Sequence, residues 1–189
     1  METGLEHKFC RPDVGLHLTE GSTGFVIEGY ASLFDAPDQG GDTVARGAYA
    51  RSLKAMTAEG RRVRMLWQHN PAQPIGIWDE VAEDARGLRV KGRLLDSVAQ
   101  GREAAALVAA GAIEGLSIGY RTIRAKKADS GQRILTELDL WEVSLVTFPM
   151  LPSAKVAAKV GAKTAAPPDA ALQELAALFN AASAVLRHG

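Results

Sequence analysis

The chain has 189 residues, enough for one domain of ordinary size and an appendage, and its 47% hydrophobic against 23% charged content excludes global disorder. Lys+Arg and Asp+Glu balance at 22 each, so no general electrostatic attraction to nucleic acid or to an anionic membrane is expected. A single cysteine, Cys10, excludes an intramolecular disulfide and a cysteine-built metal cage.

In chain order, the first residues to about Gly24 mix charges, Pro12 and glycines, with alternation only in "VGLHL". "FVIEGYASLF" is short, apolar and aromatic and predicts a strand, running into the turn-rich "DAPDQGGD". "GAYARSLKAMTAEG" predicts a helix, with Ala48, Leu53 and Met56 near helical spacing and Gly60 at its end. "RRVRMLWQHN" alternates, which places Val63, Met65, Trp67 and His69 on one face of a strand stopped by Asn70-Pro71. "PIGIWDEVAED" and "GLRVKGRLL" predict two further strands. "SVAQGREAAALVAAG" predicts a helix capped by Ser97 and stopped at Gly111. "GLSIGYRTIR" and "LTELDLWEVSLVTF" predict strands on either side of a polar turn, closed by Pro149 and Pro152.

Beyond that point the Ala/Lys-rich "SAKVAAKVGAKTAAPPDA" offers little to bury and is expected to be a linker. It leads into an amphipathic helix over "DAALQELAALFNAASAVLR". The expected organisation is a β-rich domain over 1–152 and a helical tail over 153–189. No secretory signal pattern and no run of 18 apolar residues is present, so a soluble, intracellular protein is expected.

Gly115-Leu116-Ser117-Ile118-Gly119 is a literal G-x-S-x-G, the pattern of the α/β-hydrolase nucleophile elbow. Chain order argues against that fold: the histidine should follow the serine and the acid, and only His188 follows Ser117. Serine chemistry recurs in other chain orders, and it needs a base suited to neutral pH. His7 and His188 lie near the ends and His17 in a weakly patterned stretch. His69 closes an apolar strand, and the restraint that proline places on the backbone before it is expected to keep this end extended and aim the ring. Of the acids after Ser117, Glu142 sits between "LW" and "VSLV", and a carboxylate buried there is costly unless paired, for which His69 is suited. Asp139 is the near alternative, since a strand slip exchanges faces.

Four collinear segments, "EGYASLFDAPDQGGDTVARGAYARSL", "MLWQHNPAQPIGIW", "IEGLSIGYR" and "LWEVSLVTFPMLP", resemble the prohead (procapsid maturation) proteases of HK97-like tailed bacteriophages and related gene transfer agents. The resemblance covers roughly residues 25–155. It implies a β-rich α+β fold, an antiparallel β-barrel flanked by helices and similar to the herpesvirus assemblin proteases. It also implies a serine endopeptidase with His69, Ser117 and Glu142 as catalytic residues. Asn70 departs from the family, which often carries an acid there. The implied substrate is the scaffolding segment of the major capsid protein, and often the enzyme itself, inside an assembling procapsid in the cytoplasm of a bacterial host. Self-association is a further expectation. No cofactor, metal, nucleic acid or membrane partner is called for.

Arg121, four residues beyond Ser117 on an extended strand, shares its face and is a candidate donor to the oxyanion, with Gly119 leaving room for substrate backbone. Lys155, Lys159 and Lys163 stand in small-residue surroundings suited to self-cleavage. Taken singly, each residue has a plainer reading: a strand serine, a hydrogen-bonded histidine, a glutamate facing solvent. Trp67, Trp78 and Trp141 read as core. A rival from another class is a non-enzymatic capsid assembly or scaffolding factor on the same fold.

Overall fold

A computed structural model describes residues 4–9, 16–21, 24–38 and 40–147. The expected linker and tail helix, the three lysines there, His188, and both Pro149 and Pro152 lie outside the described residues. Among the described residues, nine strands and two helices follow one another as β1 (Glu6–Phe9), β2 (His17–Gly21), β3 (Gly24–Leu33), β4 (Thr43–Val44), α1 (Ala50–Ala58), β5 (Arg64–Trp67), β6 (Asn70–Glu83), β7 (Gly87–Leu94), α2 (Ala99–Ala109), β8 (Gly115–Lys127) and β9 (Arg133–Val146).

All nine strands belong to one sheet, ordered β1-β8-β9-β5-β6-β7-β3-β2, with β4 beside β9. The sheet curls: a Cβ on Gly29 of β3 would touch Leu116 Cδ1 of β8 at 3.4 Å. Its concave side is filled by β-branched and leucine side chains at alternate positions, among them Ile27, Ile75, Leu88, Leu94, Ile118, Leu140 and Leu145, none more than 2% exposed. At about 25 cal/mol per Å² of apolar area, such fully buried side chains supply most of the folding drive. Helix α1 buries Met56 against this core, and its Ser52 hydroxyl accepts the Leu140 amide of β9 at 2.9 Å. Helix α2 turns Ala104, Ala105 and Val108 inward.

Three expectations are corrected. The sheet is not wholly antiparallel, because β5 and β4 both run parallel to β9. That pairing joins segments far apart in sequence, which local alternation does not encode. Helix α2 begins one residue later than expected: its N-cap is Val98 in an extended conformation, and no side chain caps it. Gly111, at φ 71°, does provide the left-handed stop after the helix. The strand through Met65 ends at Trp67 rather than at Pro71. Register shifts on either side of Leu66 break the alternation, so Leu66 is buried as well as Met65.

β1 and β2 went unpredicted because four or five residues rich in charge carry no apolar alternation. β1 is held by its own charges. Lys8, 3% exposed, donates from Nζ to Asp38 Oδ2 at 2.8 Å and to the Asp42 carbonyl at 2.7 Å. Glu6 pairs with Arg133 at 2.6 Å. The loop "DAPDQGGD" therefore acts as an anchor for the first strand.

Candidate active site

β8 and β9 set the site by register. Ser117 stands opposite Ser144 and Gly119 opposite Glu142, so these four positions share one face of the antiparallel pair. β1 continues that face on the other side of β8, with Phe9 opposite Ser117 and His7 opposite Gly119. Ser117 lies within β8 and not on a strand-to-helix elbow, in accord with the rejection of the α/β-hydrolase pattern.

His69 arrives from the other side of β9. Trp67 and Asn70 pair with each other, and Gln68 and His69 between them form a two-residue turn with φ 51° and 59°. Both positions are left-handed, as a type I′ hairpin requires, yet neither is glycine. The conformation is held from outside: the Gln68 amide donates to the Leu145 carbonyl at 3.0 Å, and Gln68 Nε2 donates to Thr147 Oγ1 at 2.5 Å. His69 thus sits at the tip of a turn, not in an extended strand before proline, and strand β6 runs on through Pro71 and Pro74. Non-glycine residues held in this region store of order 1 kcal/mol or more each, a cost found where geometry is functional.

The turn brings His69 Nδ1 to 2.5 Å from Glu142 Oε1. Ser144 locks the pair: its hydroxyl donates to Glu142 Oε2 at 2.5 Å and accepts the His69 amide at 3.2 Å. Glu142 and Ser144 are almost wholly buried, at 3% and 0% exposure, so these charge-assisted bonds act away from water. Asp139 points elsewhere, accepting from Trp141 Nε1 at 2.8 Å and meeting the Ser52 hydroxyl at 3.4 Å.

Gly119 has a different use from the one expected. A Cβ built there would come within 2.9 Å of Glu142 Cγ and Cδ and collide with Oε1, so the space is taken by the carboxylate and not by substrate backbone. Ser117 is fully buried, and its Oγ donates to the Lys8 carbonyl of β1 at 3.3 Å. Arg121 is exposed, its guanidinium 4.7 Å from the centre of the Trp141 ring. Trp141 is 40% exposed, a correction to its reading as core, whereas Trp78 is buried and donates to the Val143 carbonyl.

His7, near the chain start, joins this site from β1. It lies with its ring centroid 3.9 Å from that of His69 and its Nδ1 3.8 Å from Glu142 Oε1. Burial, then the positive potential of His69, lowers its pKa from the ordinary imidazole value, with Glu142 opposing. No sequence signal marked it, because its strand carries none. Chemically, the arrangement offers an oriented imidazole beside a buried carboxylate and a strand serine across the same face. Among the described residues, no helix is long and apolar enough to cross a membrane.

Comparison with known proteins agrees with this frame. The prohead protease of Enterobacteria phage HK97 is 33% identical over 136 residues, which cover 70% of this chain; the chain spans 59% of that relative's length. The structure of the bacteriophage T4 capsid assembly protease superposes with a TM-score of 0.62 at 17% identity, covering 77% of this chain and 98% of the other, so the two share a fold. Residues 13–167 match the family described as caudovirus prohead serine protease, and the chain belongs to that family.

Proposed function

We propose that this protein is a serine endopeptidase of procapsid maturation, with Ser117 as nucleophile, His69 as general base and Glu142 as the acid that orients the imidazole. The observation that carries the reading is the 2.5 Å contact of His69 Nδ1 with the buried Glu142, built on a residue, Ser144, that stands directly across from Ser117. With the Nδ1 proton engaged by the carboxylate, Nε2 is left to accept the Ser117 proton as Oγ attacks the scissile carbonyl. The imidazolium then gives that proton to the leaving amine, and water resolves the acyl-enzyme by the same route. Glu142 stabilises the imidazolium while it lasts. Arg121 is the candidate to steady the oxyanion, a contribution worth about 3–4 kcal/mol for one good donor.

The substrate in this reading is the scaffolding segment of a major capsid protein, and the enzyme itself, cut within an assembling procapsid in a bacterial host. A herpesvirus-protease-like barrel over 1–152, a tail over 153–189 and self-association belong to the same proposal. One observation favours the rival: Ser117 is fully buried, its hydroxyl donating to the Lys8 carbonyl of the neighbouring strand β1, as suits an assembly factor that keeps the fold without chemistry. Co-expression with the capsid protein separates the two. The native chain shortens the capsid protein and Ser117→Ala leaves it full length; processing that survives Ser117→Ala, or never occurs, refutes the endopeptidase.

A further inference from the structure

Three ligand-type side chains from separate parts of the chain face one another here: His7 on β1, His69 at the β5–β6 turn and Glu142 on β9. Their ligating atoms all lie within 4.8 Å of one another. Both imidazoles address the same oxygen, Glu142 Oε1, with His69 Nδ1 at 2.5 Å and His7 Nδ1 at 3.8 Å. Two histidines and a carboxylate with a fourth position open to water is the donor set of many zinc centres. We infer that His7, His69 and Glu142 bind zinc or a similar borderline divalent cation, and that cation binding and peptide hydrolysis exclude each other. The exclusion rests on the endopeptidase reading; the cation site does not.

The two contacts with Glu142 need small adjustments only, while the two rings, with centroids 3.9 Å apart, must also separate. Ligand atoms about 2.0–2.2 Å from a tetrahedral ion stand about 3.3 Å apart. The His69–Glu142 contact therefore opens by about 0.8 Å and the His7–Glu142 contact closes by about 0.5 Å. His7 is 38% exposed on a four-residue edge strand, so its ring is free to make that movement. Ser144, bonded to Oε2, leaves Oε1 to ligate and supplies the outer-shell bond that orients a metal-bound carboxylate.

Exclusion follows from the tautomer. Hydrolysis needs the proton of neutral His69 on Nδ1, where Glu142 accepts it, and a lone pair on Nε2 for the Ser117 proton. A cation on Nδ1 needs a lone pair on that nitrogen, so the Nδ1 proton is given up and the neutral ring carries its proton on Nε2. The ring then has nothing with which to accept from Ser117. No electron transfer is involved, and a chelator restores the first tautomer.

The test is zinc calorimetry on the full-length protein at pH 7.5, alongside peptide hydrolysis in the same buffer. One zinc binds per chain, and His7→Ala weakens it at least tenfold, with His7→Gln as second variant should alanine disturb the strand. Cys10→Ser and His17→Ala leave affinity unchanged. Hydrolysis falls with the same zinc midpoint, returns on adding EDTA, and in His7→Ala, referred to its own zinc-free rate, falls at a midpoint shifted by the same factor. No zinc uptake, uptake indifferent to both His7 variants, or uptake lost in Cys10→Ser overturns the site. Hydrolysis that persists at saturating zinc overturns the exclusion. An EDTA-treated chain that cleaves nothing sinks the endopeptidase reading and the exclusion with it, while calorimetry still decides the site.

Discussion

Gly119 and Glu142 stand opposite each other across β8 and β9, and the glutamate carboxylate occupies the volume that any side chain at 119 would need. Gly119→Ala is expected to push the carboxylate off His69. Displacement of a catalytic group by about 1 Å costs on the order of 100-fold in rate, and overpacking a buried site costs about 1–3 kcal/mol. Peptide hydrolysis and a urea melt of the variant measure both. Near-native kcat/KM in a folded variant would show that the carboxylate has no part in the chemistry.

Ser144 carries two bonds at once, to Glu142 Oε2 and from the His69 amide. Ser144→Ala leaves two buried groups each short of a partner, a destabilisation of about 1–3 kcal/mol. Both bonds orient the His69–Glu142 pair, so kcat is expected to fall about tenfold with KM little changed. A loss confined to KM would place Ser144 in substrate binding instead.

The anchor of β1 is a nearly buried ion pair between Lys8 and Asp38. Lys8→Met leaves the carboxylate uncompensated, which is expected to cost about 3 kcal/mol, and Lys8→Met with Asp38→Asn is expected to recover part of that loss. A denaturant double-mutant cycle gives the coupling. Hydrogen exchange in Glu6–Phe9 should rise in the single variant first.

His7 predicts a direction in pH. Burial, then the potential of His69, lowers its pKa below 6.5 against the pull of Glu142, so the unfolded chain takes up a proton that the folded chain resists. Its contribution is neutral above the unfolded value, and stability falls as pH drops through about 6.5 until the folded value is passed. The native Tm should therefore decline between pH 7.5 and 5.5 more steeply than that of His7→Phe. Parallel declines would assign the effect to other groups.

Much of this frame was legible in sequence. β3, β7, β8 and β9 announce themselves by apolar runs, and α1 and α2 by helical spacing and their glycine stops, because in each the local pattern and the buried face agree. Glu142 stood out as a charge within apolar neighbours, a position where burial demands a partner. What escaped was whatever local pattern does not record. The turn at Gln68–His69 lacks the Asn-Gly signature of its type, since bonds from β9 hold it. The parallel pairing of β5 with β9 is set by tertiary packing. His7 escaped because "EHKF" is stabilised by ion pairs with distant residues and not by any periodicity of its own.

The central place of β9 in the sheet has a consequence for timing on the ribosome. It is the last described strand, yet it lies between β8 on one side and β5 on the other, and His69 and Glu142 are 73 residues apart. Until β9 has emerged, the nascent chain holds two half-sheets with no hydrogen-bonded seam between them, and the imidazole has no carboxylate to face. Long-range pairing of this kind closes late. Synthesis order alone thus delays the meeting of His69 and Glu142 until the last described strand has taken its place.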